Sequence, residues 1–202
     1  MSLTYQFQRD TNKLERLEWD RTWFQDTQLT DCSRLIMIGD SIANGITETF
    51  NDVLHWKYPV DSYTSSKALD NPALIPTIRV FMSQETHYNA IVFNNGLHGF
   101  HLADETEYAQ YYEKIIAFLQ ETYPDKPLYL SLTTYLRNPE QNERVIVRNK
   151  VSLAIAEKFD LPVIDLYSVA KNNADLLARD GVHFTSYKPL CEEIQKHIMK
   201  HM

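Results

Sequence analysis

Five short runs of apolar residues, rich in Ile and Val, recur along the chain from residue 34 onward. They read RLIMIG (34–39), KYPVDSY (57–63), YNAIVFN (88–94), KPLYLSL (126–132) and LPVIDL (161–166). Each run has about the length of a strand and is continuous rather than alternating, which is typical of strands buried on both faces. The pattern therefore predicts five strands in the interior of one sheet.

Stretches with helical periodicity lie between these runs. One begins directly after the first run, and the series covers residues 42–54, 70–84, 104–123, 143–159 and 187–202. Their apolar residues recur at the three- and four-residue spacing of an amphipathic helix. Strands that alternate with helices predict a parallel sheet that is covered by helices on both faces.

Residues 1–33 differ from the rest because they are polar and charged, with only scattered apolar side chains. The segment KLERLEWDRTWF (13–24) fits a single amphipathic helix. No repeat or Gly/Ser-rich linker divides the remainder of the chain. We therefore expect a single α/β domain over residues 34–202, with 1–33 as an N-terminal extension that is helical and packs on it.

The composition narrows the range of partners. The 202 residues carry a formal net charge of −7 without a block rich in Lys or Arg, which argues against nucleic-acid and anionic-membrane partners. Cys32 and Cys191 have no zinc-binding spacing, and two reduced thiols are favoured over one disulfide. Neither a secretion signal nor an apolar run of about 20 residues is present. We expect a cytoplasmic location, with a secreted origin as the alternative; the oligomeric state stays open.

The first strand ends in an unusual place for a small polar side chain. Its apolar run leads into Gly39, Asp40 and Ser41, where a helix begins. In parallel α/β folds, reactive and binding groups collect beyond the carboxyl ends of the strands. A serine there can cap the helix, hold a phosphate or act as a nucleophile. Because the chain has no phosphate-binding glycine motif, the choice between cap and nucleophile depends on whether a base is available.

A candidate base lies near the C-terminus, in ARDGVHFTSYKPL (178–190). Asp180 and His183 are separated by two residues just before the last helix. In a tight turn, this spacing can put the carboxylate against one imidazole nitrogen while the other faces outward. The alternative is a turn aspartate beside an incidental histidine, since this spacing is common.

Three motifs occur in an informative order: GDS after the first strand, VFNNGLHG after the third, and DGVHFT before the last helix. Together they resemble the SGNH (GDSL-type) hydrolase family over about residues 34–200. The resemblance implies a flavodoxin-like three-layer α/β/α sandwich with a five-stranded parallel sheet, which hydrolyses esters through an acyl-serine. It also implies that Ser41 is the nucleophile, His183 the base and Asp180 the partner that orients the base.

The resemblance further implies an oxyanion hole with three donors: the Ser41 N–H, a backbone N–H after the second strand, and an asparagine side chain. The chain departs from the family pattern in two places. SYTSSKALDNP (62–72) has no glycine, so that Ser66 or Lys67 would present the backbone N–H, and we take Ser66. FNNGLHG replaces the usual GxND, and we favour Asn94, directly at the strand end, over Asn95.

Several other residues are candidates for contacts with a substrate. Asp40 and His98 are candidate binding residues, with His98 lining the acyl pocket. His98 and His101 have the spacing of a metal pair, but a convincing site needs three or more ligands, so we expect no metal. Trp19 and Trp23 either stack on a sugar or dock the N-terminal segment on the core.

These observations predict a serine esterase that cleaves small acyl esters, acetyl esters of carbohydrates being one class, without a metal or organic cofactor. The expected partner is a small-molecule ester. One alternative is an acyltransferase that uses the same site. The other is a non-catalytic module that binds a ligand at the start of the first helix.

Two further residues, Tyr135 and Arg137, follow the fourth strand. They either rim the site or lie in a solvated loop.

Overall fold

A computed structural model of the chain describes residues 14–84, 87–102 and 104–202. Within these residues, one sheet has six strands in the order β1-β3-β2-β4-β5-β6. The strands are β1 (Asp20–Trp23), β2 (Leu35–Gly39), β3 (Val60–Ser65), β4 (Ala90–Phe93), β5 (Leu128–Ser131) and β6 (Val163–Ile164). The strands β2 to β6 are parallel to their neighbours, whereas β1 runs antiparallel to β3 at the edge.

Helices cover both faces of this sheet. They are α1 (Ser41–Glu48), α2 (Leu74–Met82), α3 (Glu105–Thr122), α4 (Pro139–Lys158), α5 (Leu166–Asn172) and α6 (Lys188–Ile198). A π-helical turn, Thr49–Val53, extends α1, and a 3-10 turn, Ala174–Leu176, follows α5. One apolar cluster contains side chains of α2, α3 and α4, and a second contains side chains of α1, α5 and α6. The predicted three-layer α/β/α fold is confirmed.

The burial of β2 explains why its apolar run is continuous. Ile36 and Ile38 belong to one cluster, and Leu35 and Met37 belong to the other. All four side chains are at most 2% exposed. Successive residues of a strand point to opposite faces, so a strand with a helical layer on each side must be apolar at every position.

The helix predicted over residues 13–24 is wrong in the part that the structure describes. Residues 14–19 are not helical, and Asp20–Trp23 forms β1. The sheet therefore has a sixth strand that the sequence analysis did not predict. The backbone of β1 pairs with the free edge of β3, and Asp20 anchors it by accepting from the Tyr63 hydroxyl (2.6 Å) and pairing with the Lys67 ammonium.

The strand order fixes where a site can form. From β2, the chain first crosses to β3 on one side and then returns to β4 on the other side. In open parallel sheets, a crevice opens above such a reversal of strand order, at the carboxyl ends of the two strands. Ser41 follows β2 and Asn94 follows β4, so both lie at this crevice.

Two further properties of the chain bear on the expectations above. No helix in the described residues is both long and apolar enough to cross a membrane. Cys32 and Cys191 are free thiols, and Cys191 is buried.

Candidate active site

Ser41 is the first residue of α1 and stands on a sharp turn between β2 and that helix. Asp40 caps the helix: its backbone is extended, and its Oδ1 accepts the Ile42 N–H at 2.9 Å. A Cβ on Gly39 would lie 2.7 Å from the Cβ of Ala43 and 3.1 Å from the Asn94 carbonyl oxygen. Only glycine fits this turn without displacing its neighbours, and the turn presents Ser41 at the end of the sheet.

Asp180 and His183 lie in an exposed loop between the 3-10 turn and α6. Asp180 Oδ1 accepts the backbone N–H groups of Val182 and His183, each at 2.9 Å. This is the local turn that an aspartate favours, because its carboxylate mimics a backbone carbonyl. The other carboxylate oxygen, Oδ2, is then free to face the imidazole and lies 2.7 Å from His183 Nδ1.

The structure brings the three residues Ser41, His183 and Asp180 into one hydrogen-bonded chain. His183 Nε2 lies 2.8 Å from Ser41 Oγ, although the two residues are 142 positions apart in the sequence. An ionised carboxylate only accepts hydrogen bonds, so the proton of a neutral imidazole is held on Nδ1. Nε2 is then the acceptor for the Ser41 hydroxyl. The side chains of His183 and Asp180 are 41% and 51% exposed, so the pair opens to solvent.

The charges of the two nearby aspartates are set by different surroundings. The hydrogen bond from His183, followed by those from the Val182 and His183 backbone, lowers the pKa of Asp180 to about 2. Asp180 is therefore ionised at neutral pH. Burial raises the pKa of Asp40, while the charges of His98 and His183 and the Ile42 N–H act against this rise.

Asp40, one of the two expected substrate contacts, lines a cavity together with Asn94 and Leu97, and its role as a substrate contact stays a prediction. Its side chain is buried, the residue being 1% exposed, and its Oδ1 is used to cap α1. His98, the other expected contact, is partly exposed, with Nδ1 at 3.8 Å from Glu15 Oε1. Its role as a substrate contact stays a prediction.

The two asparagines after β4 are placed differently. Asn94 is partly exposed, and its Nδ2 donates to the Ser131 carbonyl (2.6 Å) and to Thr133 Oγ1 (3.1 Å). Asn95 is only 2% exposed, and its Nδ2 donates to the Lys67 carbonyl at 2.8 Å. Asn94 is therefore the more accessible of the two side chains, while Asn95 joins the loops after β3 and β4.

Ser66 is not available as an oxyanion donor. Its backbone N–H donates to the Trp19 carbonyl at 3.1 Å, and its Oγ accepts the Trp19 N–H at 2.8 Å. The neighbouring Lys67 N–H donates to Ser65 Oγ at 3.0 Å. The expectation that Ser66 presents its N–H is therefore wrong, because the residues before β1 pair with this segment.

His101 interacts with a carboxylate rather than with His98. Its Nε2 lies 3.1 Å from Asp70 Oδ2, and its Nδ1 lies 4.0 Å from Glu15 Oε1. Within the described ranges, no group of three or more His, Cys, Asp or Glu side chains is suited to hold a metal ion.

Trp23, at the exposed edge of the sheet, donates from Nε1 to Gln25 and packs below the Arg21 guanidinium.

Arg137 has a role that the sequence analysis left undecided. It reaches the loop of Asp180 and His183, donating from Nη2 to the Leu177 carbonyl (2.9 Å) and from Nη1 to the Ala178 carbonyl (3.0 Å). No local pattern could have shown these contacts, since they join segments about 40 residues apart. Tyr135 instead packs edge-on against Tyr167.

Comparisons with known proteins support the fold. The solved structures that resemble this chain over more than four fifths of its length include the following three. A GDSL-like lipase from Bacteroides thetaiotaomicron has 17% identity and a TM-score of 0.62, with 84% of this chain and 89% of that chain covered. A lipase/acylhydrolase from Enterococcus faecalis has 18% identity and a TM-score of 0.61, with 83% and 96% covered. An acetyl xylan esterase has 17% identity and a TM-score of 0.62, with 82% and 99% covered.

These likenesses define the class of fold. The chain has the α/β/α fold of the SGNH (GDSL-type) hydrolases, as the motif order predicted. No family model and no curated protein matches the sequence.

Proposed function

We propose that the protein is a serine esterase that hydrolyses small acyl esters. The observation that carries this proposal is the continuous chain of hydrogen bonds from Asp180 through His183 to Ser41, with distances of 2.7 and 2.8 Å. A helix cap does not require a base beside the serine, and in this structure Asp40 rather than Ser41 caps α1. The arrangement matches the roles of nucleophile, base and orienting carboxylate.

The reaction has two halves. In the first, His183 Nε2 takes the proton of Ser41 while Oγ attacks the ester carbonyl carbon and forms a tetrahedral intermediate. The C–O bond to the alcohol then breaks, and His183 returns the proton to the leaving oxygen, which yields an acyl-serine. In the second half, His183 takes a proton from water, the resulting hydroxide attacks the acyl carbon, and Ser41 leaves with the proton.

Asp180 supports both halves without giving up a proton. Its pKa of about 2 keeps it ionised throughout the neutral range. The negative charge holds the Nδ1 proton in place and stabilises the imidazolium that forms when Nε2 is protonated. The two backbone N–H groups on Oδ1 fix the direction of the carboxylate.

The negative oxygen of the intermediate needs hydrogen-bond donors. The Ser41 N–H belongs to the first turn of α1, whose N–H groups have no acceptor one turn earlier in the helix. Asn94 is the side-chain donor that we propose. One of its amide hydrogens is held by the Ser131 carbonyl at 2.6 Å, and the other makes a longer bond of 3.1 Å to the Thr133 hydroxyl. The substrate oxygen can replace that hydroxyl as acceptor.

Acetyl esters of carbohydrates are the substrate class that we favour. The exposed pair His183 and Asp180 leaves room for a bulky alcohol such as a sugar chain, because both side chains open to solvent. Two solved structures with this fold are named as an acetyl xylan esterase and an acetyl-xylooligosaccharide esterase.

The test is a series of p-nitrophenyl esters from acetate to decanoate, followed with wild type and Ser41→Ala. We expect hydrolysis that is fastest for the shortest chains and is abolished in Ser41→Ala, with the fold unchanged. A fluorophosphonate should label wild type and not this variant. Ser168→Ala is the matched control, since Ser168 is exposed on α5 and is not part of the hydrogen-bonded chain of Asp180, His183 and Ser41. Binding of an ester without turnover would instead identify a non-catalytic module.

A further inference from the structure

Arg137 makes three hydrogen bonds to the loop that carries the acid–base pair. We define the acid–base loop as residues 177–183. The guanidinium donates to the carbonyls of Leu177 (2.9 Å) and Ala178 (3.0 Å), and the Arg137 backbone N–H donates to the Gly181 carbonyl at 2.9 Å. These carbonyls lie on both sides of Asp180, so one residue holds both arms of the turn that positions the carboxylate.

The acid–base loop is closed at its base by its own contacts. Leu177 and Phe184 are buried and form an antiparallel bridge, and the Ala178 N–H donates to the His183 carbonyl at 2.7 Å. The tip, with Asp180, projects into solvent and buries little apolar surface. Exposed segments of this kind have low local stability unless polar contacts hold them. The contacts from Arg137 serve this purpose.

Arg137 is itself anchored to the core. The N–H of the preceding residue, the buried Leu136, donates to Asn142 Oδ1 on α4 at 3.0 Å. The following residue, Asn138, caps α4 by accepting the Gln141 N–H at 3.0 Å. The segment after β5 is thus fixed on both sides of Arg137. Arg137 can therefore hold the acid–base loop in a fixed position relative to the sheet and α4.

The turn in the acid–base loop and Arg137 fit each other closely. Gly181 has a φ of +73°, a conformation that favours glycine, and a Cβ there would lie 2.8 Å from Arg137 Cβ. The planar guanidinium fork holds two carbonyls in one fixed geometry, which a single ammonium cannot do. We propose that Arg137 is a positioning residue that aligns Asp180 and His183 with Ser41. This inference deepens the esterase function proposed above and rests on it.

Substitution of Arg137 should lower turnover without unfolding the protein, because the side chain is exposed. Arg137→Met keeps the aliphatic stem and the backbone bond to Gly181 but removes the fork. We expect kcat to fall roughly 10–100-fold with little change in KM, because displaced catalytic groups slow the chemical steps more than they weaken ground-state binding. Arg137→Lys keeps the charge and should still show most of this loss.

Arg179→Met is the matched control. Arg179 lies in the same loop beside Asp180, is exposed, and has no hydrogen bond or ion pair within the part of the chain that the structure describes. The variant removes the same charge but no contact, so kcat should stay within about twofold of wild type. An equal loss in both variants would mean that the charge near His183 matters rather than the fork, and would overturn the proposal.

A double-mutant cycle tests whether Arg137 acts through the acid–base pair. In an Asp180→Asn background, Arg137→Met should cost much less than in wild type, since the pair that it positions is already impaired. If the two losses simply multiply, Arg137 acts elsewhere and the proposal fails.

A spectroscopic measurement separates this inference from the proposed function. The proton between His183 Nδ1 and Asp180 should give a low-field proton NMR signal in wild type and Arg179→Met. In Arg137→Met the signal should weaken or disappear while the melting temperature stays close to that of wild type. This readout does not need activity: absence of ester hydrolysis in wild type would refute the esterase alone. An unchanged low-field signal in Arg137→Met would refute the role of Arg137.

Discussion

Replacing Asp180 by asparagine should change which ring nitrogen of His183 carries the proton, while the shape of the loop stays the same. In the structure, Oδ1 accepts two backbone N–H groups at 2.9 Å, and Oδ2 faces His183 Nδ1 at 2.7 Å. An asparagine has only one acceptor oxygen, which the two backbone donors should hold. Its NH2 group then takes the place of Oδ2 and faces the imidazole.

An NH2 group only donates, so Nδ1 must become the acceptor and the ring proton must move to Nε2. A protonated Nε2 can no longer accept the hydrogen of Ser41, which lies 2.8 Å away. The wrong tautomer costs about 10⁴ in kcat in a buried serine protease triad. Water can compete for the exposed pair here, so we expect a loss of roughly 10²–10⁴. This corresponds to about 3–5 kcal/mol of transition-state stabilisation.

The assay compares kcat for p-nitrophenyl acetate in wild type, Asp180→Asn and His183→Ala. His183→Ala should lose more than Asp180→Asn, because it removes the base itself. Asp175→Asn is the control, since it makes the same atomic change at an exposed carboxylate in the neighbouring 3-10 turn. Retention of more than half of the wild-type kcat by Asp180→Asn would refute the tautomer argument. If His183→Ala retained most of the wild-type activity, the assignment of His183 as the base would be refuted.

Two further predictions concern the oxyanion hole and acid stability. Asn94→Ala should lower kcat by about 10²–10³ with little change in KM. Asn95→Ala is the control and should lower kcat much less. If steady-state kinetics gave the reverse order, the donor would be Asn95. Because the pKa of Asp180 is lowered to about 2 from 3.8, its contribution to stability is present above about pH 4 and is lost as the pH falls towards 2. The gap in melting temperature between wild type and Asp180→Asn should narrow over this range, and a constant gap would contradict the linkage.

The central strands were predictable from the sequence because the fold constrains them strongly. A strand with helices on both faces must be apolar at each position, and β2 shows this with four consecutive buried side chains. The pairing of Ser41 with His183 was predicted from other signals, namely the spacing of Asp180 and His183 before the last helix and the order of the three motifs. A strand-end rule applies only to Ser41, which follows β2, because His183 lies in the loop between the 3-10 turn and α6.

The edge of the sheet was less predictable. Strand β1 is mostly exposed, with Trp23 at the surface, so its residues show no clear two-residue alternation of apolar and polar side chains. Its pairing with β3 depends on backbone hydrogen bonds and on the contacts of Asp20 with Tyr63 and Lys67, which involve distant residues. The incorrect assignment of Ser66 follows from this omission, since its N–H donates to the residue directly before β1.

The helix α5 was missed for a different reason. Its seven residues, Leu166–Asn172, are too few to show a helical period. The sequence contains a cue to its start, because aspartate is a favoured N-cap residue and Asp165 stands directly before the helix. In the structure, Asp165 caps α5 and accepts the Ser168 N–H at 2.9 Å.

The two halves of the candidate site depend on different kinds of interaction. Ser41 stands on a turn that is enclosed by the core, where Gly39 and Ala43 leave no room for change. Asp180 and His183 stand on an exposed loop that is held mainly by hydrogen bonds. Since buried packing resists displacement more than exposed polar contacts do, changes of alignment at this site should arise in the acid–base loop. Contacts such as those of Arg137 then decide whether His183 meets Ser41, and turnover should respond to them while the fold does not.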